Sequence, residues 1–253
     1  MRPYILAETN WKAVQEAEFD LAVLQWGATE AHNYHLPYAT DNYETEHITA
    51  EAARLAWERG TKAIVLPIIP FGVNTGQLDI KFCINLNPST QFEILKDVLD
   101  ALSRHGIKKF VLMNGHGGNN FRQMVRECQA LFPEMFLCTV NWFDAAPWKD
   151  FVEDLGDHAG ELETSLMQAI APDLVLPLSE AGDGAAKRPK ITAMREGWVW
   201  AQRPWTKVTK DTGVGDPAKA APEKGRAFIK AASEKLAQFF VELGESDVND
   251  LYE

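Results

Sequence analysis

The sequence predicts an α/β fold, a three-layer αβα arrangement around a mostly parallel sheet. Two observations carry this. Short apolar runs alternate with longer helical patterns along the chain, and alternation at that spacing builds a parallel sheet with helices on both faces. The length, 253 residues of which 46% are hydrophobic, suits one large domain (1–253) with a sizeable core.

Taken in order, Leu21-Ala-Val-Leu-Gln-Trp26 reads as the first buried strand. Polar residues follow, then a helix from about Asn42 to Arg59 that Gly60 ends. Ala63–Ile69 is the second strand. Asn87-Pro-Ser-Thr opens a helix with a capping sequence, running to about His105 with Gly106 as its stop. Phe110–Met113 is the third strand, Asn119–Phe132 a helix, and Met135–Val140 the fourth strand. Glu161–Ala171 is helical up to Pro172, and Pro222–Leu243 is the long final helix. Between Leu176 and Ala221 the chain is irregular, rich in Gly, Pro, Lys and Trp. It reads as an excursion over the surface or into a neighbouring subunit.

Composition narrows the function classes. With 25 basic and 36 acidic side chains, the net charge is −11. That balance argues against a nucleic-acid backbone or an anionic membrane as main partner. Cys83, Cys128 and Cys138 cannot all pair and show no zinc-finger spacing, so they are expected to be reduced and structural. The N-terminal apolar run is too short for a signal peptide, and no stretch approaches the ~20 apolar residues of a membrane span. A cytoplasmic protein is expected.

Ligand sites in such sheets lie beyond the carboxyl ends of the strands, where three polar constellations fall. The first is Glu30, His32, His35 and Asp41 in the loop after Trp26. Carboxylates and imidazoles are ligands for Zn²⁺ or Mn²⁺, and one carboxylate can bridge two ions. The second is Asn114-Gly-His-Gly-Gly-Asn119, whose glycines leave His116 unobstructed at a strand-to-helix turn. A phosphate-binding glycine loop is the rival reading, weakened by the missing Lys-Ser/Thr of a P-loop. The third is Asp157-His-Ala-Gly-Glu-Leu-Glu-Thr-Ser165 at a helix start. Acidic residues also suit a first helical turn, but three loops that each offer His and carboxylate favour a metal site.

The ordered motifs Gly-x-x-Glu-x-His…His-Leu-Pro…Thr-Asp, Asn-Gly-His-Gly-Gly-Asn and His-Ala-Gly-x-x-Glu-Thr-Ser resemble the creatininase family, as does Gly213-Val-Gly-Asp-Pro-Ala with Glu223-Lys-Gly225. The resemblance spans residues 27–225. It implies a three-layer α/β fold, two divalent ions (Zn or Mn) per chain and hydrolysis of non-peptide or cyclic amide C–N bonds. It also implies a small-molecule amide substrate and a homo-oligomer, commonly a hexamer. A peptidase or a formamide deformylase of the same family is the runner-up enzyme, and a metal-stabilised, non-catalytic oligomer the non-enzyme reading.

Residue by residue, Glu30, His32, Asp41 and His116 match the family's metal ligands, with Asp41 at the bridging position. Creatininase takes a further ligand from a Glu two residues after its equivalent of His116, where this chain has Gly118. The resemblance assigns that carboxylate to Glu163 and the proton-transferring histidine to His158. Gly117 and Asp154 stand where creatininase carries a tyrosine and a tryptophan, which predicts that creatinine is a poor substrate.

Helix phase also favours Glu163 over Glu161. Positions two apart point about 200° apart, and Glu163 shares a face with Leu166, Met167 and Ile170, a buried stripe. Glu161 shares the polar face of Thr164, Ser165 and Gln168, and its loss is expected to change stability only slightly. His35 is expected to bond carboxylates behind the ligands, while His47 and His105 read as structural. Trp142, Phe143 and Trp148 are candidates for a pocket wall or for ordinary packing. Trp198, Trp200 and Trp205 are candidate anchors of a subunit interface.

Overall fold

Each central strand divides its side chains between two cores. In β1 (Leu21–Trp26), Leu21 and Val23 join one apolar cluster while Ala22, Leu24 and Trp26 join another. Successive side chains point to opposite faces, so a strand covered on both sides reads as one unbroken apolar run.

The computed structural model describes residues 2–252. A short α1 (Trp11–Gln15) precedes β1, and α2 (Thr40–Glu58) leads to β2 (Ala63–Val65). Next come α3 (Pro88–Arg104), β3 (Lys109–Asn114), α4 (Arg122–Leu131) and β4 (Phe136–Asn141). The chain ends with α5 (Glu161–Ile170), the one-turn helices α6 (Thr192–Arg195) and α7 (Trp205–Val208), and α8 (Pro222–Glu245). The four strands pair in parallel in the order β2-β1-β3-β4. Ile48, Ala52, Leu166, Phe228 and Phe240 carry α2, α5 and α8 onto one face. Leu95, Leu99, Met124 and Cys128 carry α3 and α4 onto the other. The three layers are those the sequence predicts.

Element ends differ where a side chain or a proline intervenes. β2 stops at Val65 because Pro67 has no N–H to donate. The ladder resumes at Ile69, whose N–H donates to the Gln25 carbonyl at 2.9 Å. α2 begins at Thr40, so Asp41 sits in its first turn and not in the preceding loop. Asn87 makes no side-chain cap, and α3 starts on Pro88 alone. α4 begins at Arg122 because Asn119 is engaged elsewhere: its Oδ1 accepts from Val73 N at 3.0 Å and Gln91 Nε2 at 2.8 Å.

The topology fixes where a site can form. From β1 the chain goes to β2 on one side and then crosses to β3 on the other. That reversal opens a crevice between the carboxyl ends of β1 and β3, where Trp26 and Asn114 are register partners. The irregular 176–221 segment folds back over this edge, with Val214 N donating to the His158 carbonyl at 2.8 Å.

Candidate metal centre

Four segments converge on the crevice. The loop after β1 brings Glu30 and His32, the first turn of α2 brings Asp41, and the turn after β3 brings His116, all buried. The approach to α5 brings buried His158, and its first turn brings partly buried Glu163. His116 Nδ1 lies 3.0 Å from Glu30 Oε1 and 2.9 Å from Asp41 Oδ2. His32 Nε2 lies 3.0 Å from Asp41 Oδ1, and His158 Nδ1 lies 3.6 Å from Glu30 Oε1. The donor atoms form three overlapping triads: Glu30–Asp41–His116, His32–Asp41–Glu163 and Glu30–His32–His158. Asp41 is common to the first two.

Backbone carbonyls orient all three imidazoles. His32 Nδ1 faces the Glu30 carbonyl at 3.1 Å, His116 Nε2 the Val73 carbonyl at 3.2 Å, and His158 Nε2 the Ala31 carbonyl at 2.8 Å. A carbonyl only accepts, so each of these nitrogens carries the hydrogen. In the neutral ring the inward nitrogen then offers a lone pair, as a metal-ligating histidine does. Gln77, which sequence reasoning missed, donates from Nε2 to Glu30 Oε2 and accepts from Cys83 Sγ at 3.2 Å. Glu163 Oε2 accepts from the Ala159 N–H.

This donor set fits divalent cations. Asp41 Oδ2 is buried without a hydrogen-bond partner although His116 Nδ1 is 2.9 Å away, and two facing lone-pair donors need positive charge beside them. Mixed imidazole and carboxylate donors suit Zn²⁺ or Mn²⁺. The electrostatics make the same demand. Burial opposes ionisation of Asp41, yet His32 and His116 hold it below the usual carboxylate range. Burial also opposes ionisation of Glu30, which His116 and His158 hold down. Burial would lower His32, but Asp41 lifts it to about 9. His116 is lifted well above its ordinary value by Glu30 and Asp41 against the same burial. Glu163 moves up because burial outweighs the pull of His32 and His158. One turn beyond Asp41, Glu44 is fully buried, with neither carboxylate oxygen partnered among the described residues. Burial, reinforced by Glu163 and Asp41, pushes it far up.

Several expectations change. A Cβ on Gly118 would overlap His116 Nε2 and the Val73 carbonyl, so a side-chain ligand at that position is sterically closed. Gly117 faces open space within the cleft. Trp142 is a core residue that packs on Phe143 and Phe228 and donates from Nε1 to Thr45 Oγ1 at 3.1 Å; Phe143 and Trp148 pack against the same core. None of the three lines the cleft. Trp205, read from the sequence as an interface anchor, is buried against His158. His35 bonds the Thr164 hydroxyl at 2.9 Å and, among the described residues, no carboxylate. His47 and His105 lie on exposed surface.

Glu161 points away from the centre, as helix phase predicts, but its face is not a free one. Thr164 and Ser165 are fully buried, and Glu161 Oε2 accepts from the N–H groups of Glu153 and Asp154 at 3.0 Å each. Its other oxygen pairs with Lys224 on α8.

The family model for creatininase, creatinine amidohydrolase, matches residues 7–240. The chain belongs to the creatininase family. The creatinine amidohydrolase of Pseudomonas putida is 29% identical over 195 residues, 67% of this chain and 73% of its own. The mycofactocin precursor peptide peptidase of Mycolicibacterium smegmatis is 28% identical over 208 residues, covering 80% and 77%. A Bacteroides fragilis crystal structure, provisionally named a creatinine amidohydrolase, superposes with TM-score 0.94 at 42% identity over the whole of both chains. A manganese form of creatininase shares the fold at 24% identity, TM-score 0.77, covering 96% of this chain and 99% of that one. Like these creatininase-family relatives, this chain is a hydrolase acting on carbon–nitrogen bonds.

Proposed function

We propose that the chain is a dinuclear metal hydrolase that opens a non-peptide or cyclic amide. In this reading Glu30, Asp41 and His116 hold one divalent ion, and His32, Asp41 and Glu163 hold the other. The observation that carries it is the pair of donor triads sharing Asp41, with both imidazoles turned inward by backbone carbonyls. Two bound cations would supply Lewis acidity toward the amide carbonyl and the attacking water. The protein's own part is proton handling and positioning. His158 is tethered through Nε2 to Ala31, so Nδ1 would accept a proton from the attacking water beside Glu30 and pass it to the leaving nitrogen as the C–N bond breaks. Gln77 fixes Glu30, and Trp205 shields one edge of His158 from water.

Elemental analysis should find close to two ions per chain, Zn or Mn. Chelation should abolish turnover of a panel of cyclic amides, formamides and short peptides while far-UV circular dichroism is kept. Metal at background occupancy would overturn this reading. Creatinine should be turned over slowly compared with the best member of the panel, because Gly117 and Asp154 stand where the resemblance places a tyrosine and a tryptophan, and Trp205 approaches His158 from a different segment. The volume of the cleft, about 1420 Å³, favours peptide hydrolysis as the second reading, and the peptide arm of the panel tests it.

The chain is expected to form a homo-oligomer, a hexamer in the first instance. Trp198 and Trp200 are 72% and 82% exposed in the protomer, and tryptophan is enriched at interface cores. A monomer mass in light scattering at micromolar concentration would refute this. Among the described residues no helix is long and apolar enough to cross a membrane. A cytoplasmic location remains part of this proposal, checked by fractionating cells.

A further inference from the structure

On a chain of net charge −11, residues 185–210 carry seven basic side chains and one acidic one. This segment walls the cleft that opens onto Glu30, Asp41, His116, His158 and Glu163. Lys187, Arg188, Lys190 and Lys207 line it, with Arg122 contributed by α4. Among the described residues none of these five cations has a carboxylate within ion-pair distance, so their charge is left to face the cleft. Apart from the carboxylates of the centre itself, among the described residues the cleft has only Asp144 and Asp157 to oppose them, and Asp157 is taken by Arg203.

The wall is fixed in place and continuous with the reacting edge. Arg195 donates to the Pro189 and Lys190 carbonyls at 3.0 and 2.7 Å, and Lys187 N donates to the Val208 carbonyl at 2.9 Å. Arg203 lies over the Trp205 ring at 4.4 Å, and Trp205 meets His158. A volume of about 1420 Å³ exceeds the ~300–1,000 Å³ of ordinary small-molecule clefts, so there is room for a group beyond the amide. An acidic protein repels anions overall, and a cleft of locally reversed sign concentrates them.

We propose that the substrate carries an oxyanion, a phosphate or a carboxylate, remote from the scissile bond, and that Lys187, Arg188 and Lys190 bind it. This rests on the hydrolytic reading of the centre but is tested separately from it. The metal-loaded protein is titrated calorimetrically with inorganic phosphate and with succinate, beside a Lys187→Glu/Arg188→Glu/Lys190→Glu variant. Affinity for at least one anion should fall tenfold or more in the variant, with metal content and oligomer mass unchanged. The wild-type affinity should itself weaken as salt rises. A tighter phosphate arm assigns the group as a phosphate, and a tighter succinate arm as a carboxylate. The neutral Gln triple variant, which spares the fold from charge reversal, should show a smaller loss in the same direction. Equal affinity in wild type and both variants would overturn the proposal, because the anions would then sit on the metal ions alone. A loss accompanied by altered oligomer mass would also overturn it, by assigning the wall to a subunit contact. If elemental analysis found no metal while the charge variants still lost the anion, the hydrolytic reading would fall and the anion site would stand.

Discussion

Trp205 stands edge-on to His158, with ring centroids 4.8 Å apart and planes inclined at 63°. The resemblance matches a creatininase tryptophan to Asp154, which is exposed and accepts from the Gly156 N–H at 3.1 Å. An aromatic side chain nevertheless reaches the histidine, from a segment about fifty residues further along the chain. Edge-to-face pairs are worth about 0.5–1.5 kcal/mol. If that contact is made fully in the transition state, Trp205→Ala should lower kcat about two- to thirteenfold with both ions retained, and Trp205→Phe should recover most of it. An effect on KM alone would assign Trp205 to substrate binding instead.

The two glutamates of α5 should separate cleanly. Glu163→Gln is expected to lose one of two ions in elemental analysis and nearly all activity. Glu161→Gln should keep both ions and lower unfolding stability by about 1–3 kcal/mol, because two backbone N–H groups and Lys224 depend on that carboxylate. Loss of metal from Glu161→Gln would reverse the assignment.

Gly118 offers a test of where the missing carboxylate comes from. Gly118→Glu restores the residue that creatininase has there, yet its Cβ would collide with His116 Nε2 and Val73 O. Placed in the Glu163→Gln background, it should not recover the second ion and should weaken the first by displacing His116. Recovery to two ions would show that the turn after β3 yields more readily than its geometry indicates.

Acid should destabilise the fold partly through His35. Burial, with a smaller push from His32, lowers its pKa from 6.5 to about 4. The folded ring stays neutral while the unfolded one protonates, so stability present above pH 6.5 is lost as pH falls toward 4 and changes no further below that. The full loss is about 3 kcal/mol. Denaturant titrations of wild type and His35→Gln at pH 7.5 and 4.5 should show a steeper fall for wild type. Parallel profiles would place the acid sensitivity elsewhere.

The sequence by itself determined the layers and the neighbourhood of the site. Unbroken apolar runs such as Leu21–Trp26 carry enough local information to specify a doubly covered sheet, and residues adjacent to strand ends inherit the strands' positions. Glu30, His32, Asp41 and His116 were legible for that reason, and Glu163 because helix phase is a local property. The tertiary structure alone decided what lies across the crevice. Gln77 under Glu30, Trp205 against His158, Lys224 on Glu161 and the cations of 187–190 over the cleft are all separated from their partners by dozens of residues. Such contacts depend on how loops close over the sheet edge, and loop paths follow packing against the finished core, not the periodicity of their own residues.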